Sequence, residues 1–267
     1  MGRATLYHIP ICPFSQRLEI LLELSGLEGV LDFEVVDITV PRPDWLLAKS
    51  RGTTALPILE LEGGRVIKES LVILRYILEA HDVGRLWRED PWERAIENML
   101  MALCEPWLTA GYVFVLNQDP ERRSALETKL LDHYAKIDDF LRVHGGEGPW
   151  LFDDFGLAEV VFTPFFQRFW FLEYYEGFAL PEDGRFERIR EWEAACVAHP
   201  RAQQTSREEI VKLYYDYAQG LPNGALGEGR TRSSFTFEPS WEARPWPPRT
   251  KYGAGASDSE LGLVGPG

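Results

Sequence analysis

Every strand signal in this chain falls within its first eighty residues, and that asymmetry leaves few folds open. Thr5-Leu6-Tyr7-His8 is a short β candidate that runs into Pro10 and Cys12-Pro13. Phe14, Leu18, Leu21 and Leu22 then recur at helical spacing as far as Gly26. Phe33 to Ile38 reads as a second strand, and Pro43 to Lys49 as a short helix or turn. Leu56 to Leu61 and Arg65 to Lys68 flank Gly63-Gly64, the pattern of a hairpin, and Leu71, Leu74, Ile77 and Leu78 mark another helix. The order β-α-β-α-β-β-α predicts a mixed-sheet α/β domain over residues 1–81.

After the stretch from Asp82 to Asp90 the pattern is helical only. Helices are predicted over Pro91–Leu116, Arg122–Val143, Leu157–Tyr175, Phe186–His199 and Glu208–Gln219, an all-α domain spanning 90–220. The tail, 221–267, is rich in Gly, Pro and Ser and has no period. Five basic and five acidic residues leave it neutral, so the net charge of −14 resides on the body. Phe235, Phe237, Trp241, Trp246 and Tyr252 are more aromatics than a solvated linker carries, so the tail is expected to be ordered but irregular, lying on the body and bordering the substrate pocket or a partner subunit.

The charge argues against a nucleic-acid partner, since phosphate needs clustered Lys and Arg. No basic region followed by an apolar run opens the chain, and no stretch is expected to span a bilayer, so neither secretion nor a membrane partner is expected. Cys12, Cys104 and Cys196 lie far apart, and an odd count without a secretion signal reads as reduced thiols in the cytoplasm. The five His residues lack metal-ligand spacing, so no metal is expected.

Cys12-Pro13-Phe14-Ser15 follows a strand and opens a helix. A thiol there meets unpaired N–H groups and the positive end of the helix dipole, which favour thiolate; a small core cysteine is the alternative. Position 15 is Ser, so an outside thiol must resolve any mixed disulfide on Cys12. Pro57 opens a strand, as an ordinary trans proline or with a cis bond after Leu56 that frees the Leu56 backbone for an extended peptide. Glu69-Ser70 begins a helix and either caps it or binds a ligand's ammonium and carboxylate. Arg42 is a second carboxylate candidate or a solvated charge. Tyr214 and Tyr217 share a face with Ile210, where phenols either pack or donate to a developing oxyanion.

Together these features resemble the glutathione transferase family, and the Cys-Pro-Phe start is similar to its omega class, which uses cysteine where other classes use Tyr or Ser. The resemblance implies a thioredoxin-like first domain with a mixed four-stranded sheet, a helical second domain, and a homodimer. Tyr7-His8-Ile9-Pro10, Pro41 to Lys49, Gly52 to Pro57 and Leu213 to Tyr217 further resemble the bacterial glutathione lyases of lignin β-aryl ether breakdown. So do Pro247-Pro248-Arg249 and Glu260 to Leu263 in the tail. By that resemblance Cys12 is the catalytic cysteine with Phe14 beside glutathione. Leu56 and a cis Pro57 hold the glutathione cysteine backbone, Glu69 and Ser70 the γ-glutamyl group, and Arg42 the glycyl carboxylate. Tyr214 aligns with an aromatic of the acceptor pocket. The implied reaction takes glutathione as co-substrate and removes glutathione from an aromatic glutathione thioether, an α-glutathionyl ketone. Two rivals share the site: an omega-type thioltransferase or dehydroascorbate reductase, and a membrane-inserting chloride-intracellular-channel-like protein. One departure is Gly156, where the family carries a Ser or Thr helix cap; a modest loss of stability is expected.

Overall fold

A computed structural model describes residues 4–53, 55–81, 86 and 88–264. Thr54 of the resemblance motif, most of the stretch between the predicted domains, and the last three residues of the tail lie outside the described residues. The first part contains β1 (Ala4–His8), α1 (Pro13–Ser25), β2 (Leu31–Val35), α2 (Asp44–Lys49), β3 (Ile58–Glu60), β4 (Val66–Lys68) and α3 (Ser70–Ala80). The four strands form one mixed sheet in the order β2-β1-β3-β4, with β1 parallel to β2 and antiparallel to β3. Gly63 and Gly64 both take positive φ (83° and 78°) in the β3–β4 turn, as a tight hairpin demands.

Strand alternation sends Leu6 and Leu59 to one face, where α1 and α3 cover them, and Tyr7 and Ile58 to the other, against Leu46 of α2. β2 ends earlier than its apolar run predicts. Phe33 and Val35 lie on an exposed edge, whereas Val36 and Ile38 leave the strand and turn inward to bury.

The second part contains α4 (Pro91–Leu116), α5 (Arg123–His144), α6 (Leu157–Arg168), α7 (Trp170–Glu176), α8 (Glu187–Ala198), α9 (Arg207–Leu213) and α10 (Tyr215–Ala218). Trp107 of α4 is fully buried against Tyr134, Phe162, Phe166 and Phe169. α6 packs on α1, so one apolar core runs through both parts. The expectation that no stretch can span a bilayer needs correction: by length and composition α4 qualifies, with mean hydropathy 1.5. Its Ile96, Leu100, Trp107 and Phe114 are buried against protein, the disposition of a core helix.

Two predicted helices are each broken in two. The run Leu157–Tyr175 turns at Phe169, and the run Glu208–Gln219 turns at Tyr214 (φ −88°, ψ 13°), which leaves that ring at a helix junction.

Gly156 also proves to be more than a weakened cap. A Cβ there would lie 2.7 Å from an Arg88 nitrogen and 2.9 Å from Glu97 Oε1. The space a Ser or Thr would fill is taken by Glu97 of α4, which accepts from the Leu157 N–H (2.9 Å), while Glu159 accepts from the Gly156 N–H (2.9 Å). The cap of α6 therefore comes from another helix.

The tail is ordered, as its aromatics suggest. Asp216 of α10 accepts from Ser233 Oγ (2.9 Å) and the Ser234 N–H (2.7 Å) and pairs with Arg230 (3.2 Å). Lys251, 2% exposed, is bonded to the Glu176 carboxylate, which also pairs with Arg123 (3.2 Å). Phe235 and Leu263 complete the apolar packing.

Candidate active site

The strand-to-helix step places Cys12 at the cap of α1 with an extended backbone (φ −74°, ψ 124°), and Pro13 occupies the first helical position. The sulfur is half-buried and lies 4.0 Å from the Leu56 carbonyl. The Leu56–Pro57 bond is cis. Burial pushes the Cys12 thiol up, against the expectation of an easily formed thiolate. The N–H groups of Ser15 and Phe14, the Ser15 hydroxyl and the Arg168 guanidinium all pull it down. The helix end is thus one contributor among several. Cys104 and Cys196 are buried apart from this cavity, and burial raises both, Cys104 to about 11.

Cys12 opens onto a cavity of about 670 Å³. One wall comes from the sheet domain: Ile9, Phe14, Arg42 and Leu56. The other is aromatic: Tyr112 of α4, Tyr214 and Tyr217 of the α9–α10 region, and Phe235 of the tail. Tyr214 is 4.9 Å from Phe235 and 5.1 Å from Tyr217, ring centre to ring centre. The Tyr214 hydroxyl donates to the Ile11 carbonyl (3.3 Å) and that of Tyr217 to Asn223 Oδ1 (3.1 Å). Burial raises both phenols, so they stay protonated donors near neutral pH.

Of the expected site residues, Cys12, Phe14, Arg42, Leu56, Tyr214 and Tyr217 line the cavity, whereas Pro57, Glu69 and Ser70 do not. Ser70 connects to the site through Arg17, whose Nη1 donates to the Ser70 hydroxyl oxygen (3.0 Å). Glu69 is exposed and sits at φ 68°, ψ 115°, a conformation that costs a side-chain-bearing residue about 1–3 kcal/mol. Arg42 donates to the Asp37 carbonyl (3.0 Å), which turns its guanidinium along the cavity rim.

Tyr7 is on the other sheet face. Its hydroxyl donates to Glu60 Oε2 (2.8 Å), and burial with that carboxylate raises it to about 12, so it takes no part in the site.

Sequence reasoning missed Tyr112, Asn223 and Arg168. Nothing in their spacing sets them apart from core or loop residues. Asn223 belongs to the tail, and the neighbouring Gly224 packs so tightly that a Cβ would lie 2.8 Å from the Ile38 carbonyl oxygen. The tail therefore closes one side of the cavity against the sheet domain.

Two family models match the chain: the glutathione S-transferase N-terminal domain over residues 6–86 and the C-terminal domain over 105–195. The chain belongs to the glutathione S-transferase family. Glutathione S-transferase omega-1 of Mus musculus is 27% identical over 221 residues, covering 81% of this chain and 85% of that one. Among solved structures, glutathione transferase Omega 2C from Trametes versicolor superposes with TM-score 0.67 at 19% identity, covering 82% of this chain and 99% of that one. Dehydroascorbate reductase of Chlamydomonas reinhardtii gives TM-score 0.60 at 22% identity, over 80% of this chain and 98% of that one. At such identities the structures speak for the transferase fold, and omega-class proteins are among the sequence relatives of this glutathione S-transferase.

Proposed function

We propose that the protein is a cysteine-type glutathione lyase that removes glutathione from an α-glutathionyl aryl ketone. The observation that carries this reading is the position of Cys12, a lone accessible thiol facing an aromatic cavity with serine at position 15. Glutathione would lie across α1 and the Leu56 backbone. Glu69 and Ser70 take its γ-glutamyl end and Arg42 its glycyl carboxylate.

The Cys12 thiolate attacks the glutathione sulfur of the thioether. The new S–S bond forms as the S–C bond breaks, and the electron pair passes to the carbon as an enolate. Tyr214 or Tyr217, its hydroxyl turned from the Ile11 carbonyl or from Asn223 Oδ1, donates a hydrogen bond to the enolate oxygen, and protonation on carbon gives the ketone. A free glutathione thiolate then attacks the mixed disulfide, releasing oxidised glutathione and restoring Cys12. The net reaction consumes one thioether and one glutathione and yields one ketone and one oxidised glutathione.

A thioltransferase or dehydroascorbate reductase would use the same Cys12 steps, and the relatives' names favour that broader class. The aromatic wall favours an aryl substrate. We further propose a homodimer in a reducing, cytoplasmic setting, where three free thiols persist. The test is turnover of a glutathionyl aryl ketone with glutathione. Equal amounts of ketone and oxidised glutathione support the lyase. Dehydroascorbate reduction without ketone release rejects it in favour of the reductase.

A further inference from the structure

Two arginines lie buried beneath the first turn of α1. Arg17 donates to the Val161 carbonyl (3.0 Å), to Ser70 Oγ and to Cys104 Sγ (3.3 Å), with its guanidinium 4.7 Å from the centre of the Phe165 ring. Arg168, the last residue of α6, is 0% exposed. It donates to the Ile11 carbonyl (2.8 Å), to the Pro164 carbonyl (3.2 Å) and to Gln16 Oε1. Its Nε finds no partner, and among the described residues no carboxylate pairs with it.

A buried guanidinium cannot shed its proton, and an unpaired buried charge is costly. Elsewhere the same chain neutralises such a charge: Lys251 and Arg123 share the Glu176 carboxylate. The groups Arg168 grips flank the nucleophile, Ile11 just before Cys12 and Gln16 four residues after it. We propose that Arg168 is a positioning residue whose buried charge is the counter-charge of the Cys12 thiolate and whose hydrogen bonds fix the turn presenting that sulfur.

Two other cations also interact with the Cys12 charge, Arg17 and Arg42. Arg17, on α1 itself, donates to Cys104 and Ser70, and Arg42 stands at the rim on the Asp37 carbonyl, so neither grips the residues that flank the sulfur as Arg168 does. Tyr214 and Tyr217 are neutral phenols, and the coulombic pull of Arg168 works with the helix-end amides against desolvation. In the proposed cycle Cys12 is both attacking thiolate and leaving group, and a stabilised thiolate leaves faster.

This inference rests on Cys12 as the reactive thiol but not on the lyase substrate, so its test uses none. Iodoacetamide alkylates the thiolate, forming an S–C bond and expelling iodide. Its rate at Cys12 is followed by mass spectrometry against pH in wild type, Arg168→Gln, Arg168→Lys and Gln16→Glu, with melting temperatures alongside. The midpoint is expected to rise by about one pH unit or more in Arg168→Gln, and by less in Arg168→Lys, which keeps the charge. Gln16→Glu places a carboxylate where Arg168 already donates. It gives up the bonds that Gln16 Nε2 donates to Gln167 Oε1 (2.6 Å) and Gln204 Oε1 (3.1 Å), so its melting temperature should fall while its midpoint rises. Arg168→Lys, which keeps the charge but not the planar fork, separates charge from geometry. Should Arg168→Gln fail to fold, Gln16→Glu decides. A folded Arg168→Gln or Gln16→Glu variant with the wild-type midpoint overturns the proposal, whether or not the protein releases ketone.

Discussion

The two walls of the cavity are built by different means. On the sheet side the reactive sulfur is fixed by backbone: a strand end, a proline in the first helical turn, and the Leu56 carbonyl 4.0 Å away. On the helical side phenols and rings from α4, the α9–α10 junction and the tail supply the surface, held by one another, by Asn223 and, for Tyr214, by the Ile11 carbonyl. In the proposed cycle the first wall carries the thiol chemistry, and the second receives the aryl group and steadies the enolate. Changes on the first should stop the reaction, whereas changes on the second should grade it.

Cys12→Ser is expected to have the largest effect, lowering thiol-dependent turnover roughly a thousandfold or more, because an alcohol does not displace carbon from sulfur at neutral pH. A steady-state assay of ketone release checks it, and near-normal turnover would break the contrast between the walls. Next comes a stability change in the support of the second wall. Lys251→Met leaves Glu176 with Arg123 and Tyr252 only and is expected to cost about 3 kcal/mol in chemical denaturation. A loss near zero would mean the tail is not fastened by this pair.

Glu69→Ala should weaken glutathione binding about tenfold, as a charged hydrogen bond at an exposed site is lost. Calorimetric titration reads this, and unchanged affinity would move the glutathione site elsewhere. Tyr217→Phe should lower kcat by only a few-fold, since Tyr214 can still donate. An effect as large as that of Cys12→Ser would show that the second wall holds an indispensable group.

The smallest effect concerns pH and the α6 cap. Burial raises Glu97 from an ordinary value of 4.5 to about 7, partly offset by Arg88. The unfolded chain releases this proton near 4.5 and the folded chain near 7. The stability it contributes is therefore complete below pH 4.5 and lost as pH rises through 7. Glu97→Gln keeps a neutral acceptor for Leu157, so its melting temperature should fall less steeply between those limits.

The sheet-domain wall was legible in the sequence because its determinants are local. A proline after a cysteine at a strand-to-helix step and a Leu-Pro strand start state their geometry within a few residues. The second wall was only half legible. Tyr214 and Tyr217 stood out by helical spacing, but neither the break at Tyr214 nor the tail ring of Phe235 that packs against both is written in that spacing. Arg168 falls inside the predicted run Leu157–Tyr175, where its spacing does not single it out. Only the fold, which sets α6 against α1, puts its charge beneath Cys12. Gly156 misled for the same reason, since its cap arrives from α4, 60 residues earlier.

The central claim is that Cys12 takes glutathione from the substrate before a second glutathione removes it. Intact-protein mass spectrometry after brief exposure to a glutathionyl aryl ketone, with no free glutathione, tests this directly. The account predicts one added glutathione on the wild-type chain, located on Cys12, with one equivalent of ketone released, and none on Cys12→Ser. Ketone release at the full rate from unmodified protein, or from Cys12→Ser, would contradict it.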